Sequence, residues 1–222
     1  MKNKSLEDRF LDERLMRNVS IVSVVCSIVA FAILSISHEV ELFAAFEKIV
    51  KIIVTLLTFW AFAKFHWDIM KGMMGALLFA LLYQEGFLVL GNLWGQTTDF
   101  DAFLIMGVQG SLYLAAQTMS FMMTIIIVIN HFIIGYSRVG NYGNVIFNQI
   151  TIIFKVFLYI LLIIVNSFLN QPLIIQVSSC FEYISDLCIV IMVICIETQL
   201  DNFKAIKQDL LKDRKKKEDI NE

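Results

Sequence analysis

The sequence predicts an all-α, polytopic transmembrane helical bundle with six membrane-spanning helices, and three observations carry that reading. Of the 222 residues, 58% are hydrophobic and only 17% charged, where a soluble domain carries about 45–50% and 25%. The charges crowd the two ends and the short connections. One proline in the whole chain leaves six long apolar runs unbroken, and roughly 20 apolar residues suffice to cross a bilayer.

Residues 1–18 alternate charge with Leu6, Phe10, Leu11 and Leu15, a pattern that suits an amphipathic helix lying at the cytoplasmic interface. The six spans, together a transmembrane domain over 19–197, fall at about 19–37, 42–63, 69–91, 102–136, 144–169 and 173–197. The fourth is far longer than a bilayer requires. Splitting it in two would move the lysine-rich tail outside, so it reads as one long or tilted helix. Over 198–222 the helical period continues through Leu200, Phe203, Ile206, Leu210 and Leu211 among basic residues. This is a cytoplasmic extension of the sixth helix, drawn to anionic lipid or docked on a cytoplasmic or membrane protein partner.

Orientation follows from lysine and arginine in the flanks. The first segment holds Lys2, Lys4, Arg9, Arg14 and Arg17, and the later cytoplasmic connections hold Lys64, Lys71 and Arg138. The tail adds Lys204, Lys207, Lys212, Arg214 and Lys215–Lys217. The remaining loops, 37–41, 92–101 and 170–172, carry neither residue. Both termini are expected in the cytoplasm, with the protein multi-pass in the cell membrane.

Several classes are disfavoured. No basic stripe interleaved with aromatics suggests nucleic acid, and the charged start with no small-residue cleavage site argues against a signal peptide. Cys26, Cys180, Cys188 and Cys195 lie inside apolar runs without metal-ligand spacing and read as buried hydrophobes. Neither H-E-x-x-H nor G-x-S-x-G occurs, so a non-enzymatic protein without cofactor or metal is expected. The glycines of 135–144 follow no strand and read as a turn. His131 reads as a hydrogen-bonded interface residue, and His66, Trp67 and Trp94 as interfacial anchors.

The informative residues are the polar ones inside the spans, which normally face a bundle interior. At about 1.5 Å per residue, Lys48, Lys51, Glu85, Gln109 and Glu182 share the outer third of the membrane. Lys155 and Asp186 arrive at nearly equal depth on neighbouring helices and are the expected ion pair. Two stripes of small residues, Gly72, Ala76, Ala80 with Gln84, and Gly107, Ser111 with Ala115, read as helix-packing seams. Three readings of the cluster follow: ion pairs that only fix which helices pack, an outward site for a small molecule or ion lined by Lys51, Glu85, Gln109 and Glu182, or a proton relay through Glu85, Glu182 and Asp186.

In layout alone, six spans with short loops resemble the substrate-capture subunits of energy-coupling vitamin transporters and, equally, the sensor portions of peptide-responsive histidine kinases. The first likeness implies a small-ligand-binding or transport subunit with a polar site in the outer half of the bundle. The second implies a receptor or scaffold subunit acting through its cytoplasmic termini. The sequence leans to the first.

Overall fold

The computed structural model describes residues 6–37, 42–64, 66–98, 100–136, 142–169 and 173–221, with side chains described from residue 14 to residue 199 except at 34, 37, 42–45, 47, 67, 91–106, 108–109 and 142. Every described element is an α-helix: α1 (Leu6–Ser37), α2 (Leu42–Ala63), α3 (Trp67–Thr98), α4 (Phe100–Tyr136), α5 (Tyr142–Asn166) and α6 (Leu173–Asn221). Five of them contain long apolar segments, Arg14–Ile33, Asp68–Leu90, Gly110–Tyr136, Gly143–Asn166 and Leu173–Gln199. The helix outside that set, α2, carries Glu47, Lys48 and Lys51. The result is an all-helical bundle of the kind a polytopic membrane protein forms.

Chain neighbours pack side by side, α1 on α2, α2 on α3, α3 on α4, α4 on α5 and α5 on α6, and α1 meets α6 to close the ring. α6 also touches α3 and α4 and is the most enclosed of the five apolar helices. Its Ile189, Val190, Met192, Val193 and Ile196 meet Met70, Met74, Leu77 and Leu81 of α3 and Ile152, Tyr159 and Leu162 of α5 in a common core. Large apolar side chains also point outward, among them Ile53, Phe79, Phe87, Ile129 and Phe157. Apolar surface on that scale marks contact with lipid or protein rather than water.

Two interfaces show how the sequence sets this packing. Along α1, Ser20, Ser23, Ser27 and Ala30 form one face, and along α6, Ser178, Ser185 and Met192 recur every two turns. The two faces lie together: Ser23 and Ser27 Oγ meet Ser185 Oγ at 3.0 and 2.8 Å, and Ser178 Oγ donates to Ala30 O at 3.1 Å. Small side chains allow the close approach, and in an apolar medium hydroxyls bond across the seam because no water competes.

Between α3 and α4 the close-approach positions are Gly75, packed by Phe132, and Gly86, where an added Cβ would stand 3.0 Å from Phe121. The seam expected along Gly72, Ala76, Ala80 and Gln84 is therefore corrected. Gly72 and Ala76 are exposed, while Ala80 and Gln84 are half-buried. A four-residue step advances about 40° around a helix, so this stripe turns about 120° from the outside toward the core. Gly107, Ser111 and Ala115 are exposed as well, and Gly107 serves another purpose. Its φ of 60° and ψ of −168° break α4 into two helical pieces, a conformation essentially confined to glycine. Ser111 Oγ donates to Gly107 O at 3.0 Å at that break.

Leucine at the two positions separates these roles. Gly86→Leu is expected to cost about 1–3 kcal/mol through overpacking against Phe121. Gly72→Leu, with nothing within 4 Å of its added Cβ, should fall within about 1 kcal/mol of the parent, toward higher stability. Thermal unfolding of both proteins in one detergent reads the difference.

Candidate functional site

Polar side chains gather inside the bundle at three levels. At the level nearest the N-terminal ends of α2 and α6, Lys48 and Glu182 form a direct ion pair, and one turn further along Lys51 pairs with Asp186. The spacings produce this ladder: i, i+3 on α2 and i, i+4 on α6 each place two charges on one helix face. Gln84 of α3 touches both members of the lower rung, accepting from Lys51 and donating to Asp186 at 3.5 Å each. The lower rung is enclosed, with side-chain exposures of 4% and 2%, and the upper rung is more open at 11% and 20%.

The middle level joins α3, α4 and α5. Lys155 Nζ, 0% exposed, lies 2.7 Å from Glu85 Oε1. It also reaches Ser120 Oγ at 2.8 Å, Ser120 O at 3.0 Å and Thr124 Oγ1 at 2.6 Å, and stands 4.7 Å from the Tyr159 ring centroid. Glu85 in turn accepts from Ser120 Oγ at 2.9 Å, from Tyr159 OH at 2.8 Å and from Thr124 Oγ1. Ser120 and Thr124 are one turn apart on α4, as are Lys155 and Tyr159 on α5, so two antiparallel helices converge four polar groups on one carboxylate. This satisfies the requirement for a stable buried pair, that hydrogen bonds also occupy the remaining lone pairs and protons. Beside it a cavity of about 10 Å³, room for about one water, is lined by Glu85, Gln117, Ser120, Leu162 and Tyr183 among others. Tyr183 bonds Tyr113 on its far side.

The third level lies near the end of the apolar segment of α6, Leu173–Gln199. Glu197, 0% exposed, accepts from Asn148 Nδ2 at 2.8 and 2.7 Å and faces His131 Nδ1 at 3.2 Å. His131 Nε2 is 3.4 Å from Lys71 O, so both ring nitrogens face oxygen acceptors, the hydrogen-bonded interface role its position suggested. Asn148 Oδ1 is buried with no hydrogen-bond partner among the described residues.

The expected pairing of Lys155 with Asp186 is corrected: Lys155 goes to Glu85 and Asp186 to Lys51. Equal depth fixes one coordinate, and the direction around each helix decides the partner. α3 also runs on to Thr98, past the expected end near residue 91, which puts Glu85 about 20 Å from that end, deep enough to meet Lys155. The proposed lining Lys51, Glu85, Gln109 and Glu182 is divided among separate partners, and the side chain of Gln109 lies outside the described residues, as do those of Trp67, Trp94 and the apolar positions after residue 199. Sequence reasoning passed over Ser120, Thr124, Tyr159, Asn148 and Glu197. Their signal was present as polar residues four apart within apolar runs, such as Ser120 with Thr124. Among the described residues no three His, Cys, Asp or Glu side chains gather as a metal ion would require. No family model matches the chain, and no curated protein or solved structure matches it either.

Proposed function

We propose that this chain is a multi-pass cell-membrane protein with six crossings and both termini cytoplasmic, acting without catalysis as a receptor or scaffold subunit through its cytoplasmic ends. The observation that carries the reading is α6. It runs unbroken from Leu173 to Asn221, 49 residues or about 73 Å, more than twice the thickness of a hydrocarbon core of about 30 Å. Within the bundle it supplies Glu182, Asp186 and Glu197 to the ion-pair ladder and to the carboxylate cluster at its exit. One rigid element thus joins the polar interior to the cytoplasmic extension. The lysine and arginine distribution supports the orientation, and α2, 22 residues long, is long enough at about 33 Å to be the sixth crossing.

The mutual satisfaction of Glu85 and Lys155 favours this reading over a ligand site at the middle level, since the ammonium and both carboxylate oxygens already have partners there. Removal of residues 200–222 is expected to leave a monodisperse bundle with nearly unchanged thermal unfolding and to abolish recovery of a stoichiometric partner from the native membrane. Full-length protein that purifies alone from that membrane would overturn the proposal.

A second reading, a small-ligand-binding or transport subunit with its polar site in the outer half of the bundle, is favoured by one observation, the partial exposure of the Lys48–Glu182 rung. It predicts turnover or uptake that depends on that rung and is indifferent to residues 200–222.

A further inference from the structure

The three buried lysines among the described residues, Lys48, Lys51 and Lys155, are not equally satisfied. Lys155 has four oxygen acceptors within hydrogen-bond reach, and its partner Glu85 has three hydroxyl donors besides the lysine. Lys51 and Asp186 share Gln84. Lys48 and Glu182 hydrogen-bond only each other among the described residues, through a single contact between Nζ and Oε1, although the charge of each is also felt at Asp186. An ammonium carries three donors and a carboxylate two oxygens, so among the described residues this rung leaves two N–H groups and one carboxylate oxygen without a hydrogen-bond partner. It is also the rung that is partly open, standing above an enclosed one.

From this geometry we infer that the Lys48–Glu182 rung is a binding site for a zwitterion bearing a primary ammonium and an anionic oxygen group. Charge balance selects that chemistry. A simple anion entering at Lys48 leaves Glu182 partly buried and unpaired, and a simple cation does the reverse to Lys48, each strongly unfavourable. A ligand with both charges replaces both partners at once. Its ammonium donates to Glu182 and its anionic oxygen accepts from Lys48, while the lower rung and Gln84 hold α2 and α6 in register beneath it. A quaternary ammonium fits poorly, because it has no N–H to offer the carboxylate.

Two sources supply this chemistry, the headgroup of phosphatidylethanolamine and a free zwitterion such as glycine. The site would be the outward input of the receptor reading, and it does not depend on that reading, because binding is measured without any cytoplasmic partner.

The test uses the full chain in detergent, challenged with equal amounts of phosphatidylethanolamine, phosphatidylcholine and phosphatidylglycerol, with retained lipid read by native mass spectrometry. Retention of phosphatidylethanolamine about tenfold over each of the others is expected, the discrimination that one charge-assisted hydrogen bond supplies. Glu182→Gln, which keeps the side-chain shape and an oxygen for Lys48, should shift the preference to phosphatidylglycerol, a change of selectivity that a merely structural ion pair would not produce. Lys48→Gln is the second variant, should the first fail to fold, and should lose the ethanolamine preference without gaining the glycerol one. Displacement of the bound lipid by millimolar glycine would assign the site to free zwitterions, and resistance to glycine would assign it to the lipid. If the parent retains the three lipids equally and glycine neither binds nor competes, or if a folded variant keeps the parent's selectivity, the inference is overturned. Such a failure would leave the partner experiment on residues 200–222 untouched.

Discussion

Lys155→Met is expected to destabilise the bundle by about 3–5 kcal/mol, because removal of one member of a buried ion pair leaves the other uncompensated. Glu85 would keep Ser120, Thr124 and Tyr159 as donors but would lose the cation that justifies its charge inside the bundle. Glu85→Gln should cost a similar amount from the other side, since Lys155 would then hold its charge against neutral oxygens alone. The informative variant is the triple replacement Glu85→Met, Lys155→Met and Tyr159→Phe. Thr124 Oγ1 already lies 3.1 Å from Ser120 O, and Ser120 can turn to the carbonyl one turn behind it, so no polar group is stranded when the charges go. Exchanging a whole buried pair for apolar side chains of similar volume is often neutral or stabilising. The triple variant should therefore recover most of the loss, and reversible unfolding in mixed micelles measures both effects. An unchanged unfolding midpoint for Lys155→Met would mean that the pair contributes nothing to holding α3, α4 and α5 together. A triple variant as damaged as the single one would point to a role for the charges beyond packing.

The membrane character and the helical segments of this fold were legible because a long apolar run is a signal that survives every detail of packing. The polar residues that matter inside the bundle were also visible, since a lysine such as Lys155 in the middle of α5 has no other reason to be there. Their partners were not visible. Depth along a helix is read from residue number, but the direction a side chain faces depends on neighbours that the number does not reveal. An error of one or two turns at a helix end, as at α3, shifts every depth computed from it. The four-residue stripes misled for a related reason: a true straight seam on a helix mixes steps of three and four, as Ser20, Ser23 and Ser27 do on α1. The fourth span also contains a glycine break at Gly107, a feature that the length of an apolar run does not reveal.

Asn148 offers the second large effect, near the end of the apolar segment of α6. Its side-chain amide donates to both oxygens of Glu197, at 2.8 and 2.7 Å, and the carboxylate is 0% exposed. Hydrogen bonds to a charged group contribute about 1.5–3 kcal/mol, so Asn148→Leu should destabilise by about 3 kcal/mol. Asn148→Asp, nearly identical in shape, should be worse, because it sets a second carboxylate against the first, with His131 the one basic side chain in contact with Glu197 among the described residues. Pairing Asn148→Leu with Glu197→Leu should recover much of the deficit, and the double-mutant cycle isolates the coupling. Amide hydrogen exchange can localise the damage. If the cluster is what ties the C-terminal part of α6 to the core, Asn148→Asp will speed exchange first in the last turns of α6 before Gln199, while the Ser185 seam with α1 stays protected. Uniform loss of protection along α6 would mean instead that the cluster supports the whole bundle and that the extension has no separate hinge to control.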